Sequence, residues 1–164
     1  EIRTISFYLL YRKADIVLKQ NGEAIEYKSD IDDFLAKMMI FINEKASDEL
    51  IADCRTMFLR AMNNSYRIMG EGAYRFAAYE DESGKSHKRP INMPLFEMLA
   101  YIFSDDCVTN NSQITRDAIN KFKDTYDYQK MLMSNVDSST NVSERFSTAK
   151  KLLEQIKHDT ANID

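Results

Sequence analysis

Arg55, Arg60, Arg67 and Arg75, followed by Lys85, Lys88 and Arg89, are interleaved with Tyr66, Tyr74 and Tyr79. Cations among aromatic rings are the mixture expected where phosphate contact and base stacking coexist. Residues 55–90 carry seven basic and four acidic groups, against seven and eleven in 1–54 and eight and eleven in 91–164. Arg67, Arg75, Lys88 and Arg89 are therefore the candidate DNA contacts. A plainer reading competes, because arginines on the outer face of a long helix usually only solvate it. The net charge of −4 also argues against non-specific duplex binding by the chain as a whole.

Other chemistry-bearing residues are sparse. Asp30, Asp32 and Asp33 suggest metal ligands by type, yet carboxylates at a helix start are explained by the positive end of the helix dipole. His87 and His158 lack the neighbours of a general base. Cys54 and Cys107 have no partner spacing for zinc or a disulfide framework, and Cys54 falls on the apolar face of a helix. No catalytic residue, metal or cofactor is expected.

The elements that must position these residues are helical. The 164 residues contain four glycines and two prolines, about a third of average usage, too few for turn-rich β folds or phosphate-cradling glycine loops. With 44% hydrophobic and 29% charged residues, the chain is neither disordered nor membrane-spanning. Periodicity predicts a first helix over 2–20, stopped by Asn21-Gly22, and a second capped by Ser29, with Ile31, Phe34, Leu35, Met38 and Ile42 facing inward. The strongest pattern runs through Leu50, Ile51, Cys54, Met57, Phe58, Ala61, Met62, Ser65, Ile68 and Met69 and ends at Gly70. Further helices are expected after Asn92, after Asn111 or Ser112 with a face reaching Phe122 and Tyr126 and onward to Leu132, and from a capping-box-like start at Asn141. The polar stretches "EDESGKSHKR" and "SNVDSSTN" read as mobile loops. The expected architecture is all-α: about six helices in a single domain, 1–164, packed around one long central helix at 47–69. The opening at Glu1, inside an amphipathic pattern, reads as a fragment of a longer protein. Without a visible leader the default compartment is the cytoplasm.

Two stretches carry a resemblance. "FLRAMNNSYRIMGEGAYRF" (58–76) and "RPINMPLFEMLAYIFS" (89–104) resemble the helical C-terminal half of the domain-of-unknown-function 262 family, the N-terminal module of Gmr-type modification-dependent restriction endonucleases. The matching positions are Phe58, Ala61, Tyr66, Gly70, Tyr74-Arg75, Arg89, Asn92, Leu95, Phe96 and Glu97. The opening "EIRTISFYLL" and the later "VSERF" are similar to the family's first and closing helices. The resemblance implies a preceding α/β part with a ParB and sulfiredoxin-like fold carrying an Asp-Gly-Gln-Gln-Arg motif. Neither that motif nor the His-Asn-His nuclease domain of some relatives is in these residues, so no catalytic role carries over. Gly70, Tyr74, Arg89, Asn92, Phe96 and Glu97 are then structural or docking positions, with Arg89 and Glu97 able to pair locally or across to the N-terminal part.

Two functions follow as expectations. The first is the non-catalytic helical part of a bacterial restriction or phage-defence nuclease module, partnered by the preceding domain of the same protein and by DNA. The second is a helical interaction scaffold with no nucleic-acid role, using Met- and Phe-rich surfaces. A helix-turn-helix regulator is disfavoured, because its short glycine-bearing turn is not visible.

Overall fold

The computed structural model describes residues 1–13, 15–125 and 131–162. Helices α1 (Ile2–Arg12), α2 (Ile31–Glu44), α3 (Asp48–Met69), α4 (Met93–Phe103), α5 (Ser112–Asp124) and α6 (Ser139–Ala161) build the fold, with short 3-10 turns at Gly70–Gly72 and Asp106–Thr109. Its strands are two antiparallel pairs, β1 (Lys19–Gln20) with β2 (Glu23–Ala24) and β3 (Tyr79–Glu80) with β4 (Ser86–His87). The all-α expectation holds.

Every helix start after α1 has a local cause. Asp30, Ser47, Asn92, Asn111 and Ser138 have non-helical backbones, and their side chains accept hydrogen bonds from N–H groups of the first turn. Two expected caps are displaced. Ser29 sits at φ 64°, one residue before the cap Asp30, where its Oγ accepts from the Ser139 amide at 2.7 Å. Asn141 lies within the first turn of α6 and donates through its side-chain amide to the carbonyls of Ser134 and Asn135.

The first helix stops short of the expected 2–20. Asn21 and Gly22 both take positive φ, 51° and 85°, and turn the chain between β1 and β2 rather than ending a helix. Asn-Gly at paired positive φ is the hairpin solution that matches strand twist, and here it outcompetes the apolar spacing of Ile16 and Val17. Val17 is left 67% exposed. The last turn of α1 is fastened by Arg12, which donates to the Tyr101 carbonyl and Ser104 Oγ at the end of α4 and pairs with Asp105. α5 ends at Asp124 with Thr125 as its cap; the expected Tyr126 lies outside the described residues, and Leu132 is buried.

The helix enclosed on all sides is α4, not the longer α3. Pro94, Leu95 and every residue from Glu97 to Phe103 are buried, and α4 packs on α1, α3 and α6. α3 lends one stripe, Cys54, Met57, Ala61, Ser65 and Ile68, and keeps its other face in solvent; Ile51, expected inward, is exposed. A short helix with almost no polar residue must sit at the centre, while a long amphipathic one belongs on the outside. Beside α4 an aromatic cluster joins the chain ends: Phe7 of α1 stacks on Phe34 of α2 at 5.2 Å, and Phe146 of α6 stacks on Tyr11 at 4.3 Å.

Neither polar stretch is a bare loop. Residues 79–87 form the β3–β4 hairpin, and residues 134–138 are held by Asn141, by Arg145 donating to the Val136 carbonyl, and by Tyr27 donating to the Asp137 carbonyl.

Candidate nucleic-acid interface

Gly70 closes α3 at φ 63°, a conformation that favours glycine, and turns the chain away from the helix axis. The segment that follows runs out through the β3–β4 hairpin and returns to Asn92, forming one wall of a groove of about 670 Å³; the last turn of α3 and the outer face of α5 form the rest. All four candidate contacts, Arg67, Arg75, Lys88 and Arg89, line it. So do Arg116 and Lys123 of α5, which sequence reasoning missed. Six basic side chains thus face two carboxylates, Glu71 and Asp124.

The cations differ in how much they are committed to the fold. Arg116 Nε donates to the Ile68 carbonyl at 2.7 Å, offsetting the negative end of α3, and Lys123 Nζ donates to the Gly72 carbonyl at 2.8 Å at the end of the 3-10 turn that follows. Burial brings the Lys123 ammonium down to about 8. Arg75 donates to the Arg89 carbonyl and Arg89 Nε to the Ala77 carbonyl, which ties the outgoing and returning strands together. Lys88 pairs with Glu71 at 2.8 Å in full exposure, a contact worth little against water and salt. Arg67 is exposed and makes no hydrogen bond or ion pair among the described residues.

Of the three interleaved tyrosines, two face solvent. Tyr66 lines the groove at 70% exposure, and Tyr79 is 47% exposed with the Arg89 guanidinium 5.2 Å from its ring centre and His87 stacked at 5.4 Å. Tyr74 is withdrawn: its ring meets Phe96 edge-on at 4.4 Å, and burial pushes its hydroxyl up to about 12. The hairpin that carries Tyr79 is braced by Asp81, which accepts from Ser83 and from the Lys85 amide and lies 2.7 Å from His87 Nε2. Those partners, Ser83 first, hold its carboxyl down at about 2.

The remaining motif positions are internal. Asn92 Oδ1 caps α4 by accepting from the Leu95 amide at 2.8 Å, while its amide group donates to the Leu132 carbonyl at 2.9 Å. Glu97 does not pair with Arg89. It is buried, bound to Arg145 at 2.8 Å and to Arg3, and Arg3 also reaches Asp137 at 2.6 Å. One charged residue from each of three separated stretches, Arg3 of "EIR", Glu97 of "LFE" and Arg145 of "SERF", therefore meets the others in one cluster. Burial is the largest influence and pushes the Glu97 carboxyl up, while the Arg145 and Arg3 guanidiniums beside it oppose that rise. Glu97 has no surface left for docking to another domain.

The alternative chemistries find no geometry. Asp30 caps α2 and Asp33 pairs with Lys37, and among the described residues no group of three His, Cys, Asp or Glu is arranged to hold a metal. Burial pushes the Cys54 thiol up to about 11, and burial together with Asp105 pushes Cys107 up to about 12, which favours the protonated thiol in both at neutral pH. Among the described residues no helix is long and apolar enough to cross a membrane. Comparison with protein-family models, with curated proteins and with solved structures found no match.

Proposed function

We propose that this chain is the non-catalytic helical part of a bacterial restriction or phage-defence nuclease module, and that it contributes the groove beside the end of α3 as a hold on the DNA backbone. The observation that carries this reading is the convergence of Arg67, Arg75, Lys88 and Arg89 with Arg116 and Lys123 on one concave surface. On a chain of net charge −4, a local excess of six cations over two carboxylates is a focused field rather than a general stickiness. The resemblance to the Gmr-type family supports the defence context and assigns the chemistry to a preceding α/β part. Fluorescence anisotropy with labelled DNA tests the hold: binding falls steeply with salt and is lost in the Arg67→Glu, Arg89→Glu double variant, while the chain hydrolyses neither nucleotide nor DNA. Absence of binding at low salt, or robust hydrolysis, overturns the proposal.

A second reading, the interaction scaffold, has its own observation. An apolar groove of about 340 Å³ lies between α1, α2 and α3, lined by Ile2, Ile5, Leu9, Ile42, Leu50 and Phe58. It is the surface to pursue if DNA does not bind.

A further inference from the structure

We infer that the basic groove takes single-stranded DNA rather than duplex, with a base stacked on Tyr66 and phosphates held by Arg67, Arg75 and Arg89. The inference rests on the nucleic-acid reading of the groove and names its substrate class.

Shape is the first argument. Sequence-reading of a duplex needs a helix or ribbon that projects into a groove about 12 Å wide. Here the cations lie on the inside of a concavity between α3, the returning segment and α5, which a convex duplex does not enter and a flexible single strand does. Aromatic disposition is the second. Tyr66 presents its ring at 70% exposure on the groove, adjacent in sequence to Arg67, and no other ring is paired with it among the described residues. An exposed ring beside an exposed arginine is the arrangement by which proteins hold unstacked bases, and it offers nothing to a duplex whose base faces are already stacked.

Across the returning segment, His87, Tyr79 and Arg89 form a second planar assembly, and the Arg89 guanidinium over Tyr79 gives a further plane for a neighbouring base. The third argument is polarity. The helix end at this site is the carbonyl end of α3, already answered by Arg116, so phosphates are held by side chains and not by a helix dipole. Such contacts follow a backbone without requiring fixed duplex geometry.

Anisotropy titrations of the chain with a labelled oligothymidine and with a duplex of equal length, at matched salt, test the assignment. The single strand binds more tightly. Tyr66→Ala weakens single-strand binding about tenfold and leaves its salt slope unchanged, whereas Tyr66→Phe binds as the parent and Arg67→Gln lowers the slope by about one phosphate contact. Because Tyr66 and Arg67 are exposed, unchanged melting temperatures confirm that these variants fold. Equal or tighter duplex binding, or a Tyr66→Ala variant with parental affinity, overturns the single-strand assignment while leaving the groove's hold on DNA intact. Failure of both DNAs to bind at low salt removes that hold and the assignment with it.

Discussion

Glu97 is the residue whose environment departs furthest from its type. A carboxylate in an otherwise apolar helix survives because Arg145 and Arg3 reach it from the two ends of the chain, and Arg145 is itself fully buried while also donating to the Val136 carbonyl. Removing one partner leaves an uncompensated buried charge, so Arg145→Met is expected to lower the unfolding free energy by about 3–5 kcal/mol, read from urea denaturation. Arg3→Met is expected to cost less, because Arg3 keeps 21% of its side chain exposed and water can replace it. The thiols give a separate check at this scale. With Cys54 held at about 11 and Cys107 at about 12, alkylation by iodoacetamide at pH 7.5 is expected to be about a hundredfold slower in the native protein than in denaturant. Fast native labelling of either would contradict the burial described.

At the scale of elements, the β3–β4 hairpin is a small unit with an electrostatic lock. Asp81 is held at about 2, below the about 3.9 of an unfolded aspartate, because the folded turn donates to its carboxylate. Its contribution is therefore complete above pH about 4 and is lost as the pH falls through 2. Ring chemical shifts of Tyr79 and His87 are expected to move over that window in the parent, and to be displaced already at neutral pH in Asp81→Ala. Much at this scale was legible in advance: the Asn92 cap, the stripe on α3 and its end at Gly70 follow from side-chain chemistry and period alone. What was illegible had a competing local solution. The apolar spacing of Ile16 and Val17 continued a helix on paper, but Asn21-Gly22 makes a hairpin, and the choice depends on tertiary support for α1 that periodicity does not contain. The basic wall from Arg67 to Arg89 was readable because it is nearly contiguous in sequence. Arg116 and Lys123 were not, since on α5 they look like an ordinary solvated face until that helix is laid beside α3. Glu97 carries a signal in the sequence, a lone charge between Phe96 and Met98, which fits a structural or a docking role equally, because its partners lie 94 and 48 residues away.

For the whole molecule, the charge layout separates a predominantly acidic chain from one concave basic site. Its proposed hold on DNA is expected to weaken with ionic strength at a log–log slope of about −2 on single strands if Arg67, Arg75 and Arg89 replace counterions. A slope near zero would mean that the affinity comes from elsewhere on the surface. The same layout explains why net charge alone misleads: −4 is an average over acidic flanks and a middle segment of opposite sign.

The closure of Arg3 and Arg145 on Glu97 also bears on how the chain reaches this state. Helical proteins fold quickly when their contacts are local, but this cluster joins residues separated by 94 and by 48 positions, and until both arrive a carboxylate sits in an apolar helix without its counterions. Collapse around α4 is thus penalised until the termini have come together. The chain is expected to fold in milliseconds or slower and with little tolerance for partial structure, closer in kinetic character to a mixed α/β domain than to a helical bundle.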